Sequence, residues 1–115
     1  MEKISTAYLK TSTDKMQIKI QLYYHKGGMN YFASKNEERG YYLSVTPVER
    51  YEETIDGKVF IFENYKAYSG NKTLLLETKR ISNKGIEDAK IIADKKQNEL
   101  VEHVCTKNNL ELYGN

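Results

Sequence analysis

From Met16 the chain alternates strictly: Met16, Ile18, Ile20, Leu22 and Tyr24 fall on one face, and Gln17, Lys19, Gln21, Tyr23 and His25 on the other. A period of two predicts a half-buried strand. Lys26-Gly27-Gly28 supplies a tight turn, and Met29-Asn30-Tyr31-Phe32-Ala33 is expected to return as the second arm of a hairpin. A third strand is expected over 41–48, with Tyr41, Leu43, Val45 and Pro47 opposed to Tyr42, Ser44, Thr46 and Val48. Pro47 has no N–H, so it marks a strand end or an edge. Asp56-Gly57 is a hairpin signal between strands at 51–55 and 58–62. The run Leu74-Leu75-Leu76 within 73–79 fits a strand covered on both faces, although periodicity alone leaves a short buried helix open.

At Arg80 the pattern changes to a helical one. Ser82 or Asn83 can cap a helix, Glu87 and Asp88 suit its positive end, and Ile86, Ala89, Ala93, Leu100 and Val104 recur at helical spacings. This predicts one helix over 84–107, roughly 35 Å long. Ile92 broadens the apolar stripe and Ile91 falls off it. Asn108-Asn109 stops the helix, leaving Leu110, Leu112 and Tyr113 to tuck back onto the sheet or onto a partner chain. Residues 1–15 are polar and aperiodic, and read as a loose arm or a short edge element. The expected architecture is a single α+β domain over 1–115. It comprises a polar arm (1–15), an antiparallel sheet of five to six strands (16–80), one long C-terminal helix packed on that sheet (84–107) and a tail (108–115). One helix covers one face of such a sheet, so the other face or an edge is open to a ligand or a second subunit.

Composition adds one oddity. The 115 residues include ten Tyr, three Phe and no Trp. Eleven of these thirteen aromatics lie between Tyr23 and Tyr68, interleaved with Lys26, Lys35, Arg39, Arg50, Lys58 and Lys66. Rings stack on bases and cations meet phosphates, which is equipment for a nucleotide or a single-stranded nucleic acid. The same tyrosines also suit a sheet with one wet face. A net charge of only +2 argues against a duplex-DNA binder.

A single cysteine, Cys105, excludes an intrachain disulfide, and His25 and His103 lie too far apart for a structural zinc set. The N-terminus has no apolar h-region and no 18 apolar residues run together, so the expectation is a cytoplasmic protein without a membrane segment. Phosphate-loop, dinucleotide, H-E-x-x-H and C-x-x-C motifs are all missing. Neither an enzyme activity nor a cofactor is expected. His103 and Cys105 fall on different sides of a helix, and His25 at a turn reads as a surface histidine or a general base.

The candidate binding residues follow from residue type. Only three arginines, Arg39, Arg50 and Arg80, stand against fifteen lysines, and a planar guanidinium matches two phosphate or carboxylate oxygens at once. Tyr41 and Tyr42 follow Arg39-Gly40 directly, so one ring points inward and the other outward. Lys79, Arg80 and Ser82 enter the helix, where free N–H groups and the positive dipole end favour an anion. An ordinary cap with two surface cations is the plain alternative. Tyr68 and Ser69 belong to a second polar turn, where Gly70 permits close approach by a ligand.

Beyond residue types, the strings Gly28-Met29-Asn30-Tyr31-Phe32, Arg39-Gly40-Tyr41-Tyr42-Leu43-Ser44-Val45-Thr46-Pro47-Val48, Ala67-Tyr68-Ser69-Gly70 and Leu75-Leu76-Glu77-Thr78-Lys79-Arg80 carry a family resemblance. Over about residues 16–107 the chain resembles phage-encoded Thoeris anti-defence proteins of the first family. The resemblance implies a cyclic ADP-ribose sponge in the host cytoplasm. Such a protein binds the cyclic nucleotide signal, or related cyclic oligonucleotides, without cleaving it, as a homodimer or higher homo-oligomer. No site residue is transferred from the family. Two other readings stand beside it: a phage protein that inhibits a host protein by direct contact, and a single-stranded nucleic-acid binder using the tyrosine-rich sheet.

Overall fold

The computed structural model describes residues 2–30, 35–65 and 69–114, with only the backbone described at 29, 30, 35 and 36. Its elements run β1 (Glu2–Lys10), β2 (Met16–His25), β3 (Gly28–Asn30), β4 (Lys35–Glu37), β5 (Gly40–Ile55), β6 (Lys58–Asn64), β7 (Asn71–Glu77) and α1 (Asn83–Lys107). The five long strands form one antiparallel sheet followed by a single C-terminal helix, an α+β fold.

The alternation that begins at Met16 sets the core. β2 and β5 pair so that Ile18 lies opposite Pro47, Ile20 opposite Val45, Leu22 opposite Leu43 and Tyr24 opposite Tyr41. These pairs form one apolar face, and Ala89, Ala93, Val101, Val104 and Cys105 of α1 pack on it. Small residues at Ala89 and Ala93 let the helix axis approach the strands closely. Ile91 is exposed, in keeping with its place off the stripe. Ser82 is the N-cap, with its hydroxyl accepting from the Gly85 N–H at 3.0 Å. The first turn holds no acidic residue, so Glu87 and Asp88 sit beyond the positive end that the sequence pattern assigned them to.

Several elements differ from the sequence expectation, each for a physical reason. Glu2–Lys10 is a nine-residue edge strand paired along β2, and only residues 11–15 are left of the polar arm. An edge strand with one partner buries little, so it carries no apolar alternation to reveal it. Residues 41–48 and 51–55 are one continuous strand of 16 residues rather than two. Pro47 is fully buried within it, not at its end. Along the edge away from β2, β5 pairs with β7 up to Val45 and with β6 from Glu49 onward. Residues 46–48 fall in the step between those two partners, where no neighbouring strand on that edge requires the missing N–H.

The turn after His25 does not return along β2. Gly28–Asn30 pairs instead with Lys35–Glu37 as a separate two-stranded sheet, and the rest of the expected second arm lies outside the described residues. The Asp56-Gly57 turn forms as expected, with both residues at positive φ (52° and 77°), the geometry of the tight hairpin turn that follows right-handed strand twist. The Leu74-Leu75-Leu76 run is a half-buried strand. The tail tucks onto its own chain: Leu112 bridges to Thr11, and the Tyr113 N–H donates to the Lys10 carbonyl at 2.8 Å. Among the described residues no helix is long and apolar enough to cross a membrane.

Candidate functional site

Where β2 ends and β5 begins, the antiparallel register sets His25 opposite Gly40. Lys26 and Arg39 therefore lie across from one another just beyond the paired strands. β7 runs along the other edge of β5 with Glu77 opposite Gly40, so the link to the helix, 78–82, leaves at the same corner. Three segments distant in sequence converge there and are held together by hydrogen bonds. The Arg39 Nε donates to the Lys26 carbonyl at 2.7 Å, the Thr78 N–H donates to the Arg39 carbonyl at 3.0 Å, and the Tyr24 hydroxyl donates to the Thr78 carbonyl at 3.2 Å.

Between these segments opens a recess of about 420 Å³ lined by Glu2, Tyr24, Lys26, Arg39, Lys79, Arg80 and Ile81. Ligand sites commonly occupy roughly 300–1,000 Å³. Four cations face a single carboxylate. Among the described residues none of Lys26, Arg39, Lys79 or Arg80 forms an ion pair. The first turn of α1 lies beside them, with its positive dipole end uncompensated by any acid. Such a corner attracts a compact anion bearing several oxygens, and two guanidinium groups can each grip a pair of them.

Three of the nine candidate residues, Arg39, Lys79 and Arg80, line this recess. Ser82 stands next to it, with its hydroxyl committed to capping Gly85. Tyr41 is fully buried and presents no exposed ring face. Its hydroxyl accepts from the Ser82 N–H at 3.1 Å and its ring packs edge-on against Tyr24 with centroids 5.2 Å apart, so it pins the helix start to the sheet. Tyr42 points to the opposite face, where it stacks on Tyr23 at 5.7 Å and donates to the Glu38 carbonyl. Both rings are nearly buried, and they offer no free stacking platform there. Ser69 lies at the other end of the helix, joined through its backbone to the side chain of Asn108, the C-cap. Tyr68 lies outside the described residues.

Arg50 also lies away from the recess. Its guanidinium covers the Tyr8 ring at 4.3 Å and approaches Glu63, whose carboxylate also takes hydrogen bonds from Tyr8, Tyr65 and Lys19. Burial works against the charged Glu63, but the hydrogen bonds from Tyr65, Tyr8 and Lys19 outweigh it and hold the carboxyl at about 2. A carboxyl held below its unfolded-state value of about 4.5 adds stability that is present above that pH and is lost as pH falls toward 2. The prediction is that chemical denaturation midpoints fall as pH drops through this window. Glu63→Gln should lower the midpoint at neutral pH and flatten that slope. An unchanged slope would show that this cluster does not couple to folding.

Glu2, Tyr24, Lys26 and Ile81 are the lining residues absent from the candidates read off the sequence. Lys26 reads as part of a turn, and its place across from Arg39 follows only once β2 is aligned with β5. Elsewhere, His25 Nδ1 accepts from the Gly27 N–H at 2.9 Å, and burial pushes the Cys105 thiol above its ordinary value. Among the described residues no group of three or more His, Cys, Asp or Glu side chains could hold a metal ion.

The fold and this corner define a class: a small sheet-and-helix protein with a basic recess at the start of its helix. No family model, curated protein or solved structure matches the chain.

Proposed function

We propose that the protein binds a phosphate-bearing cyclic nucleotide in the basic recess and holds it intact. It would act as a sponge that removes an immune signal, as a phage anti-defence protein would. One observation carries this reading: Lys26, Arg39, Lys79 and Arg80, drawn from three segments, face one recess beside a helix N-terminus without ion-pair partners among the described residues. Four unpaired cations around one cavity repel one another, and a bound diphosphate relieves that repulsion. Ile81 and the edge of Tyr24 provide the apolar wall against which a ribose or base can rest. The working place of such a protein is the host cytoplasm, and its working form is a homodimer or higher homo-oligomer.

The test is native mass spectrometry and thermal shift with cyclic ADP-ribose isomers, cyclic dinucleotides and inorganic pyrophosphate. A true ligand at a hundredfold excess over its Kd raises stability by about 2.7 kcal/mol. It should also be recovered unchanged after heat denaturation. Absence of stabilisation by every nucleotide and by pyrophosphate removes the proposal, and recovery of a hydrolysed product replaces the sponge with an enzyme.

A further inference from the structure

Beyond Glu49 the long strand β5 leaves the body of the sheet. β2 pairs with it only as far as Glu49, so over 51–55 its one partner among the described residues is β6. The result is a projecting two-stranded ribbon closed by the Asp56-Gly57 turn. Isolated two-stranded hairpins are marginally stable in water. This one also breaks the ordinary rules for an edge: Val59, Phe60, Ile61 and Phe62 run consecutively along β6 with no proline or charge among them, Lys58 and Glu63 only flanking the run. Val59 and Ile61 lie on one face, Phe60 and Phe62 on the other, and all four are exposed. Across the ladder on β5 three of them face Glu52, Glu53 and Thr54, which cannot cover them.

We infer that this ribbon is the contact between two copies of the chain, made by antiparallel pairing of the edge of β6 that no described strand covers with the same edge of a second copy. Two identical antiparallel strands are related by a two-fold axis, so a single exposed edge is complementary to itself and the assembly closes as a dimer. The exposed apolar area is of the size that a dimer contact needs. Ile55, Val59, Phe60, Ile61, Phe62 and Tyr65 are between 38% and 61% exposed. At roughly 200 Å² for a fully exposed large side chain, they leave on the order of 600 Å² per copy over the two faces of the ribbon, so about 1,200 Å² is the most that two copies can cover. Stable interfaces begin near 1,000 Å² in total. The basic recess lies at the far end of β5, so the inference stands whether or not that recess binds a nucleotide.

The experiment is sedimentation analysis of the full chain across a concentration series, with hydrogen exchange on the same samples. A species of twice 13.4 kDa is expected, with the amides of 58–64 protected at high concentration and exposed on dilution. Ile61→Lys and Phe60→Asp should each weaken the dimer at least a hundredfold while leaving the helical circular dichroism signal unchanged. A wild-type chain that stays monomeric overturns the inference, whatever other protein or surface it captures. So does a dimer whose 58–64 amides exchange equally at all concentrations, a result that needs no variant and is independent of whether either substitution folds.

Discussion

The double variant Arg39→Ala, Arg80→Ala is expected to weaken binding of the proposed nucleotide ligand by roughly a hundredfold to a thousandfold. Each arginine offers a planar fork to the same recess from a different segment, one from the strand entry and one from the helix entry. A hydrogen bond to a charged group contributes about 1.5–3 kcal/mol, and the solvent exposure of these side chains favours the lower end. Two such losses give roughly 3–4 kcal/mol. The fold should survive, because neither side chain is buried; Arg39 leaves only its hydrogen bond to the Lys26 carbonyl behind. Titration calorimetry or thermal shift with the ligand found for the wild type reads the effect. The paired variant Arg39→Lys, Arg80→Lys keeps both charges and loses both forks. It should recover only part of the affinity if bidentate recognition matters. Wild-type affinity in the alanine variant would move the site elsewhere.

Gly40→Ala is expected to destabilise the chain by about 3 kcal/mol or more, a large share of a typical stability of 5–15 kcal/mol. A Cβ at this position would lie 2.3 Å from the Leu76 carbonyl oxygen and 3.0 Å from the Glu77 Cα. Both are backbone atoms of β7, held in register by the same ladder, so neither can swing aside as a side-chain tip would. Gly40 also stands opposite His25, which fixes its other edge to β2. Relief of the clash must part β5 from β7 at the corner that carries Arg39 and Lys79, so the proposed nucleotide binding should weaken together with thermal stability. Gly57→Ala is the control: its φ is +77° but nothing lies within 4 Å, so only local strain of about 1 kcal/mol is expected. Thermal melts of the two variants separate the close approach from the turn. A Gly40→Ala melt within a degree or two of wild type would contradict this account.

The candidate site was legible only in part. Lys79, Arg80 and Ser82 carried a local signal, because a polar residue before a helical pattern is a cap and cations next to it frame the dipole. Arg39 stood out as one of few arginines. Arg50 shared that distinction and lies away from the recess, in a cluster with Tyr8 and Glu63 on another part of the sheet. Tyr41 and Tyr42 illustrate the same limit. Alternation told correctly that they face opposite ways, but not that each side was already closed by another tyrosine, Tyr24 for one and Tyr23 for the other.

By itself the sequence determined what periodicity and local chemistry can encode. The alternation from Met16 placed β2 and its buried face, the aspartate and glycine at 56 and 57 placed a turn, and the spacing of small and apolar residues after Ser82 placed the helix within one residue of its start. Each of these is a decision made among neighbours along the chain. The tertiary structure alone decided what depends on partners far away. It made a strand of the polar residues 2–10, because pairing with β2 satisfies their backbone without requiring an apolar face. It carried β5 through Pro47, because two different strands share one of its edges and leave a gap there. It gathered Lys26, Arg39, Lys79 and Arg80 around one recess, because the ends of β2, β5 and β7 meet where Gly40 lets their backbones touch.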